Sequence, residues 1–130
     1  MKKSAALPDT NFILRYLLRD VEEQFAESNE FFENVRAGKQ SAALAESVLV
    51  ECLYILTKYY RVPRADAAVN LIALLQYKGI FNTDKEVLVK SLCLFSETSL
   101  DPVDCILAAR SVVQGNQVMT FDKELNKHIQ

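Results

Sequence analysis

Along most of this chain the apolar positions recur at helical spacing. In NFILRYLL, with Thr10 or Asn11 as cap, Phe12, Tyr16 and Leu17 share a face. A second helix is expected over 21–37. Val21, Phe25 and Phe32 lie on one side of it, glutamates lie elsewhere, and Gly38 suits the position just past its end. Over 46–60 the pattern changes. At about 100° per residue, Leu49, Cys52, Leu53 and Leu56 form one stripe, and Val48, Val50, Tyr54 and Ile55 cover most of the remainder. Only a narrow polar strip is left, made by Ser47, Glu51 and Lys58, so this helix is expected to be mostly buried. Glu51 then faces either a thin strip of solvent or an internal polar cleft. Pro63 and Arg64 open a helix to about Tyr77 that Gly79 ends, and Asp84 caps a helix over 85–96. Pro102 stands in the first turn of a last long helix, terminated by Gly115.

Short apolar stretches of another kind separate these helices. Residues 4–8 predict a strand closed by Pro8, which has no N–H to give a ladder. Residues 41–44 predict a strand or a lead into the next helix, 80–82 a short strand, and QVMTF at 117–121 a strand. Asp122 falls just past that strand, before a final helical turn. Strands alternating with helices across short connections predict an α/β fold with a parallel sheet. The 130 residues suffice for one domain, 1–130, and are too few for two independent cores.

Composition narrows the chemistry. Half of the residues are apolar and a quarter charged, as in ordinary globular proteins. The apolar stretches are only a few residues long, so none is expected to span a membrane, and the one near the N-terminus is too short for a signal peptide. Cys52, Cys93 and Cys105 are far apart, without a C-x-x-C pair, which fits a reducing cytoplasm, and the apolar neighbours of Cys52 and Cys105 predict buried thiols. His128 is the only histidine, three residues from one end of the sequence, so Cys–His and Ser–His catalysis and His-ligated zinc drop out. Any chemistry falls to carboxylates, hydroxyls, amides and cations.

Most acids, such as Glu22, Glu23, Glu27, Glu30, Glu33 and Glu86, fall on helix exteriors, where solvation explains them. Five do not. Asp9 and Asp122 each follow a strand, Glu51 interrupts an apolar helix, Asp104 lies near the start of another, and Asp101 precedes it by three residues. In an open parallel sheet, ligands bind beyond the carboxyl ends of the strands, the edge that Asp9 and Asp122 occupy. Helix capping explains Asp9, Asp101 and Asp122 singly, but it explains neither Glu51 nor the pairing of Asp104 with Asp101. If four carboxylates converge, each like-charge pair about 5 Å apart costs roughly 3 kcal/mol at an effective dielectric of about 20. Hard divalent cations with oxygen ligands, Mg²⁺ or Mn²⁺, relieve that repulsion, and such sites act on phosphate. Thr120 adds a hydroxyl beside Asp122, and Asn11 an amide beside Asp9.

Four segments in order carry a resemblance: Pro8-Asp9-Thr10-Asn11 running on to Leu14-Arg15-Tyr16-Leu17-Leu18, Leu49-Val50-Glu51-Cys52-Leu53-Tyr54-Ile55-Leu56, Asp101-Pro102-Val103-Asp104-Cys105-Ile106-Leu107-Ala108-Ala109, and Thr120-Phe121-Asp122-Lys123. Together they resemble the PIN-domain family and, within it, the VapC-like toxin ribonucleases of prokaryotic toxin–antitoxin pairs. The resemblance implies a single domain with a central parallel sheet of four to five strands flanked by helices. It implies Mg²⁺- or Mn²⁺-dependent hydrolysis of RNA phosphodiesters that leaves a 5′-phosphate and a 3′-hydroxyl. Asp9, Glu51, Asp104 and Asp122 match the acidic quartet, Asp101 a frequent fifth acid, and Thr120 and Asn11 supporting positions. It also implies a co-encoded antitoxin that inhibits the enzyme, and a homodimer in the cytoplasm.

Arg15 and Arg19, one turn apart after Asp9, are candidates for contact with RNA phosphates or for plain surface solvation. Pro102, where an aromatic often stands, bears on substrate access. Phe25, Phe31 and Phe32 suggest that helix 21–37 adds to a groove or dimer contact. A silent PIN-like module that only binds RNA or protein is the competing reading. A phosphoacceptor domain has little support, because Asp9-Thr10-Asn11 offers a single acid. The net charge of −2 and the pI near 5.4 argue against a nucleic-acid partner only if charge is averaged over the chain. With the five acids assigned to one pocket, twelve acids remain against fifteen bases, a balance of +3.

Overall fold

A computed structural model describes residues 4–129. Seven α-helices form among them: α1 Thr10–Leu18, α2 Glu22–Arg36, α3 Glu46–Tyr54, α4 Arg64–Leu75, α5 Lys85–Glu97, α6 Pro102–Gln114 and α7 Lys123–Asn126. Their ends fall near the residues expected, but Asp84 stands before α5 without a side-chain capping bond, its Oδ1 accepting instead from the Asn82 amide at 3.0 Å. Gly38 and Gly115 take positive φ just past α2 and α6, where a side chain is strained. The helix expected over 46–60 continues past α3 as a π-helical turn, Ile55–Tyr59, in which the Tyr60 N–H donates to Ile55 at 3.1 Å. The Thr57 hydroxyl donates to the Leu53 carbonyl at 2.7 Å and so competes for an acceptor in the ladder just before the turn.

Helical spacing becomes burial as the patterns require. Helix α5 packs on α6 and α4, α1 on α2 and α3, and α3 on α4 and α6. Ile13, Leu14, Phe32, Val35, Leu71, Leu75, Leu88, Leu92 and Phe95 are buried in one continuous core. Phe32 is fully buried, so packing accounts for it, whereas Phe25 and Phe31 stay half-exposed. The Tyr16 hydroxyl donates to Glu33 at 2.9 Å and lies 2.7 Å from the Tyr77 hydroxyl, pinning α1 to α2 and to the chain after α4.

The sheet departs from expectation. In place of four to five strands, the described residues hold two isolated parallel bridges, Ala6 with Ala42 and Ala42 with Ile80. Ala6 donates to Ser41 and accepts from Ala43, while Ala42 donates to Gly79 and accepts from Phe81, each near 3 Å. The same tetrapeptide, Ser-Ala-Ala-Leu, occupies both 4–7 and 41–44. Alanine has weak strand preference and adds little side-chain packing, so pairing stops after one bridge. Residues 117–121 pair with nothing among the described residues, and Met119 and Phe121 stand in solvent. A strand forms only against a partner edge, and the segment before Pro8 offers too short a one.

Two residues replace the missing ladder. Gly79 donates to the Val35 carbonyl at 2.8 Å, and a Cβ there would lie 2.1 Å from the Gln40 carbonyl oxygen. Past the bridge at Ile80, the Asn82 side chain takes the role of backbone: its Oδ1 accepts from the Leu44 N–H and its Nδ2 donates to the Leu44 carbonyl, both at 2.8 Å. The Gly79→Ala change forces a clash with backbone and is expected to cost about 3 kcal/mol, at the upper end for overpacking. Gly115→Ala meets open space and only the left-handed penalty, about 1 kcal/mol. Thermal denaturation of the two variants side by side checks this, and equal melting temperatures would contradict it.

Candidate active site

Asp9 lies three residues beyond the Ala6 bridge and caps α1. Its Oδ1 accepts the Phe12 N–H at 2.9 Å, while the carboxylate stays exposed. Thr10, expected as a possible cap, is buried instead. Glu51 projects from α3 into solvent, which decides between the two settings expected for it. Asp101 stands at the start of α6 without any side-chain capping bond. Asp104 follows one turn later and is half-buried. Asp122 caps α7, accepting from the N–H groups of Glu124 at 2.8 Å and Leu125 at 3.0 Å. The Thr120 hydroxyl oxygen accepts the Asp122 N–H at 2.9 Å, so its support of Asp122 runs through the backbone. Asn11 is exposed on the first turn of α1.

Electrostatics group these acids. Burial raises the Asp104 carboxyl above its ordinary value, and the charges of Asp122 and then Asp101 raise it further. The Tyr54 phenol is also raised, by burial and then by Asp101 and Asp104. Burial, followed by the charges of Glu51 and Asp9, pushes the Cys52 thiol up to about 12. Two sets emerge: Asp101, Asp104 and Asp122 around the start of α6, and Asp9 with Glu51 around Cys52. Helix α3 links them, because Glu51 and Tyr54 stand one turn apart. Burial likewise holds the Cys105 thiol at about 11 against the opposing pull of Arg64. Cys52 and Cys105 are thus inert packing thiols, as expected.

All candidate ligands are carboxylate oxygens, a donor set that fits a hard divalent cation. Their spacing is more open than a closed site: among the described residues, no three His, Cys, Asp or Glu side chains group closely enough to hold a metal. None of the five acids forms a salt bridge among the described residues, whereas Asp20, Glu33, Glu46 and Glu124 do.

Long-range contacts add residues that spacing along the chain does not reveal. Tyr54, read from the sequence as part of an apolar surface, is exposed beside Asp101 and Asp104. The Arg64 guanidinium lies 3.6 Å from the centre of the Phe95 ring and donates to the carbonyls of Phe95 at 3.1 Å and Leu100 at 2.6 Å. It therefore fixes the connection that delivers Asp101. Arg15, a candidate for RNA phosphates or for plain surface solvation, is mostly buried: its Nε lies 3.4 Å from an Asp20 oxygen and its Nη2 donates to the Tyr60 hydroxyl at 3.3 Å. Arg19 takes left-handed backbone at the end of α1, with its guanidinium 5.1 Å from the Phe25 ring centre. Pro102 is buried at the head of α6. Beside Asp9 lies a hollow of about 340 Å³ lined by Ala6, Leu7, Pro8, Asp9, Phe12 and Phe31.

These parts define a class, a helix-rich α/β domain with carboxylates free of salt bridges, among the described residues, at the starts of α1, α6 and α7 and on α3. The PIN-domain family model matches residues 6–128, and the chain belongs to that family, whose members are nuclease-type domains. No curated protein and no solved structure gives a significant match.

Because the raised Asp104 carboxyl holds its proton more firmly in the folded than in the unfolded chain, metal-free stability falls as pH rises from the ordinary carboxylate range through that raised value. Asp104→Asn removes the fall and leaves the melting temperature at neutral pH unchanged or higher. Asp122→Ala, which strips two N–H groups of their acceptor, is expected to cost about 1 kcal/mol. Melting curves in chelator across the acid range test both, and a large loss in Asp104→Asn would mark Asp104 as structural.

Proposed function

We propose that this chain is a metal-dependent endoribonuclease, the toxin of a type II toxin–antitoxin pair, acting in the cytoplasm as one domain over 1–130. The observation that carries the reading is the half-buried Asp104, its carboxyl raised by burial and then by the charges of Asp122 and Asp101, with no cation paired to any of the three among the described residues. In this reading Asp9, Glu51, Asp104 and Asp122, with Asp101, would hold Mg²⁺ or Mn²⁺. When bound, such an ion offsets carboxylate and phosphate charge and makes water a better nucleophile. The chain's own part is to aim the carboxylates. Capping bonds orient Asp9 and Asp122, Thr120 supports the backbone of Asp122, and Arg64 steadies the approach to Asp101. Asn11, exposed beside Asp9, is assigned to the substrate side. The exposed Arg19 reaches no carboxylate among the described residues and takes the phosphate contact. Arg15 is reassigned to holding Asp20 and Tyr60.

The antitoxin is assigned to the face of α1 and α2, where Phe25 and Phe31 keep exposed ring surface, and the active form to a homodimer. A silent RNA- or protein-binding module is the second reading, favoured by the open spacing of the acids. Purified free of any partner, the chain is expected to cut RNA with Mn²⁺ or Mg²⁺, leaving 5′-phosphate ends. Asp104→Asn is expected to lose at least about 100-fold in rate, the scale of a lost metal contact, and to relieve toxicity on expression. Intact RNA under both ions would favour the silent module, and undiminished cleavage by the variant would sink the site assignment.

A further inference from the structure

We propose that the hollow beside Asp9 is a nucleobase subsite, taking one unstacked base of single-stranded RNA whose phosphate lies at the acids. The proposal rests on the nuclease reading and adds the place on this chain where a base is held.

Three features of the hollow carry it. The walls are aromatic and fixed: the Phe12 and Phe31 ring centres lie 5.4 Å apart at an interplanar angle of 86°, and the buried Phe32 backs Phe31 at 5.1 Å. Both lining rings are only half-buried, so part of each stays open to a stacking partner. At the rim, Leu7 leaves 73% of its surface in water, apolar area that a flat ring would cover. Asp9 closes the hollow, and one sugar joins a base to its phosphate, so a base held there sets that phosphate at the candidate catalytic edge.

The surroundings favour a nucleotide over an apolar peptide side chain. Phe12 also borders a second hollow of about 340 Å³, lined by Asn11, Arg15, Gln24 and Glu27. The surface therefore changes from apolar to polar across a single ring, as a nucleotide does from base to sugar-phosphate. An aliphatic side chain would instead strip water from Asp9 and return no polar partner. Apart from Asp9, the first hollow bears no polar side chain. Recognition there is by stacking and size, so every base is tolerated and a duplex, whose bases are already stacked, is excluded.

The test uses the full chain, single-stranded oligoribonucleotides and a series in which one abasic residue steps past the cut. In wild type, an abasic residue at one position is expected to weaken binding and cleavage by about ten-fold, within the range for a lost stack. Phe31→Leu is expected to give a similar loss on the intact RNA, and the two losses do not add. Binding is followed in chelator as well, through quenching of 2-aminopurine placed at the sensitive position, and no catalysis is needed for that signal. Additive losses, or no sensitive position in wild type, overturn the subsite. If Phe31→Leu releases a co-expressed partner protein yet leaves RNA binding unchanged, the hollow is a protein-docking surface and the proposal is also overturned. RNA left uncut while base-dependent binding and quenching persist would overturn the nuclease reading and support the subsite.

Discussion

Ala42 is the residue on which the architecture turns. Its own N–H and C=O are committed to Gly79 and Phe81, while its neighbours Ser41 and Ala43 serve Ala6. Three segments distant in sequence are thus held parallel by a handful of backbone bonds. The core helices hang from those segments, and Asp9 begins where the first of them ends. The junction tolerates little change because its spacing is set by backbone. Gly79 sits where even one added carbon would overlap a carbonyl oxygen. Asn82 extends the pairing with a side-chain amide, a substitute that works only because its donor and acceptor both reach Leu44.

The same economy marks the acidic edge. Asp9 and Asp122 each cap a helix, and both still face solvent. Capping and ligation are compatible, since a carboxylate has lone pairs beyond those the backbone takes. Capping fixes the carboxylate's direction without neutralising its charge. The local field consequently stays negative, and it adds to the effect of burial in raising the Asp104 carboxyl, the Tyr54 phenol and the Cys52 thiol.

Helices were legible in the sequence because their determinants are local. Spacing every three or four residues, prolines at starts and glycines past ends placed all the long helices within a few residues. Strands were less so. Residues 117–121 have a strand composition but find no partner edge, and the Ser-Ala-Ala-Leu segments pair although their composition is poor for it. The acids could be singled out by their anomalous positions, and family membership follows from the match over residues 6–128. Tyr54, Arg64 and Asn82 could not, because each acts on residues tens of positions away. Helical spacing placed Arg15 beside Arg19, but only the fold reveals that Asp20 and Tyr60 hold it.

The nuclease reading requires that these separated carboxylates form one cation site. Titrating the metal-free chain with Mn²⁺, following bound ion by electron paramagnetic resonance, tests it most directly. Saturable binding is expected, weakened strongly by Asp104→Asn and unaffected by removal of an acid on an outer helix face, such as Glu86. Binding that is absent, or indifferent to Asp104, would contradict it.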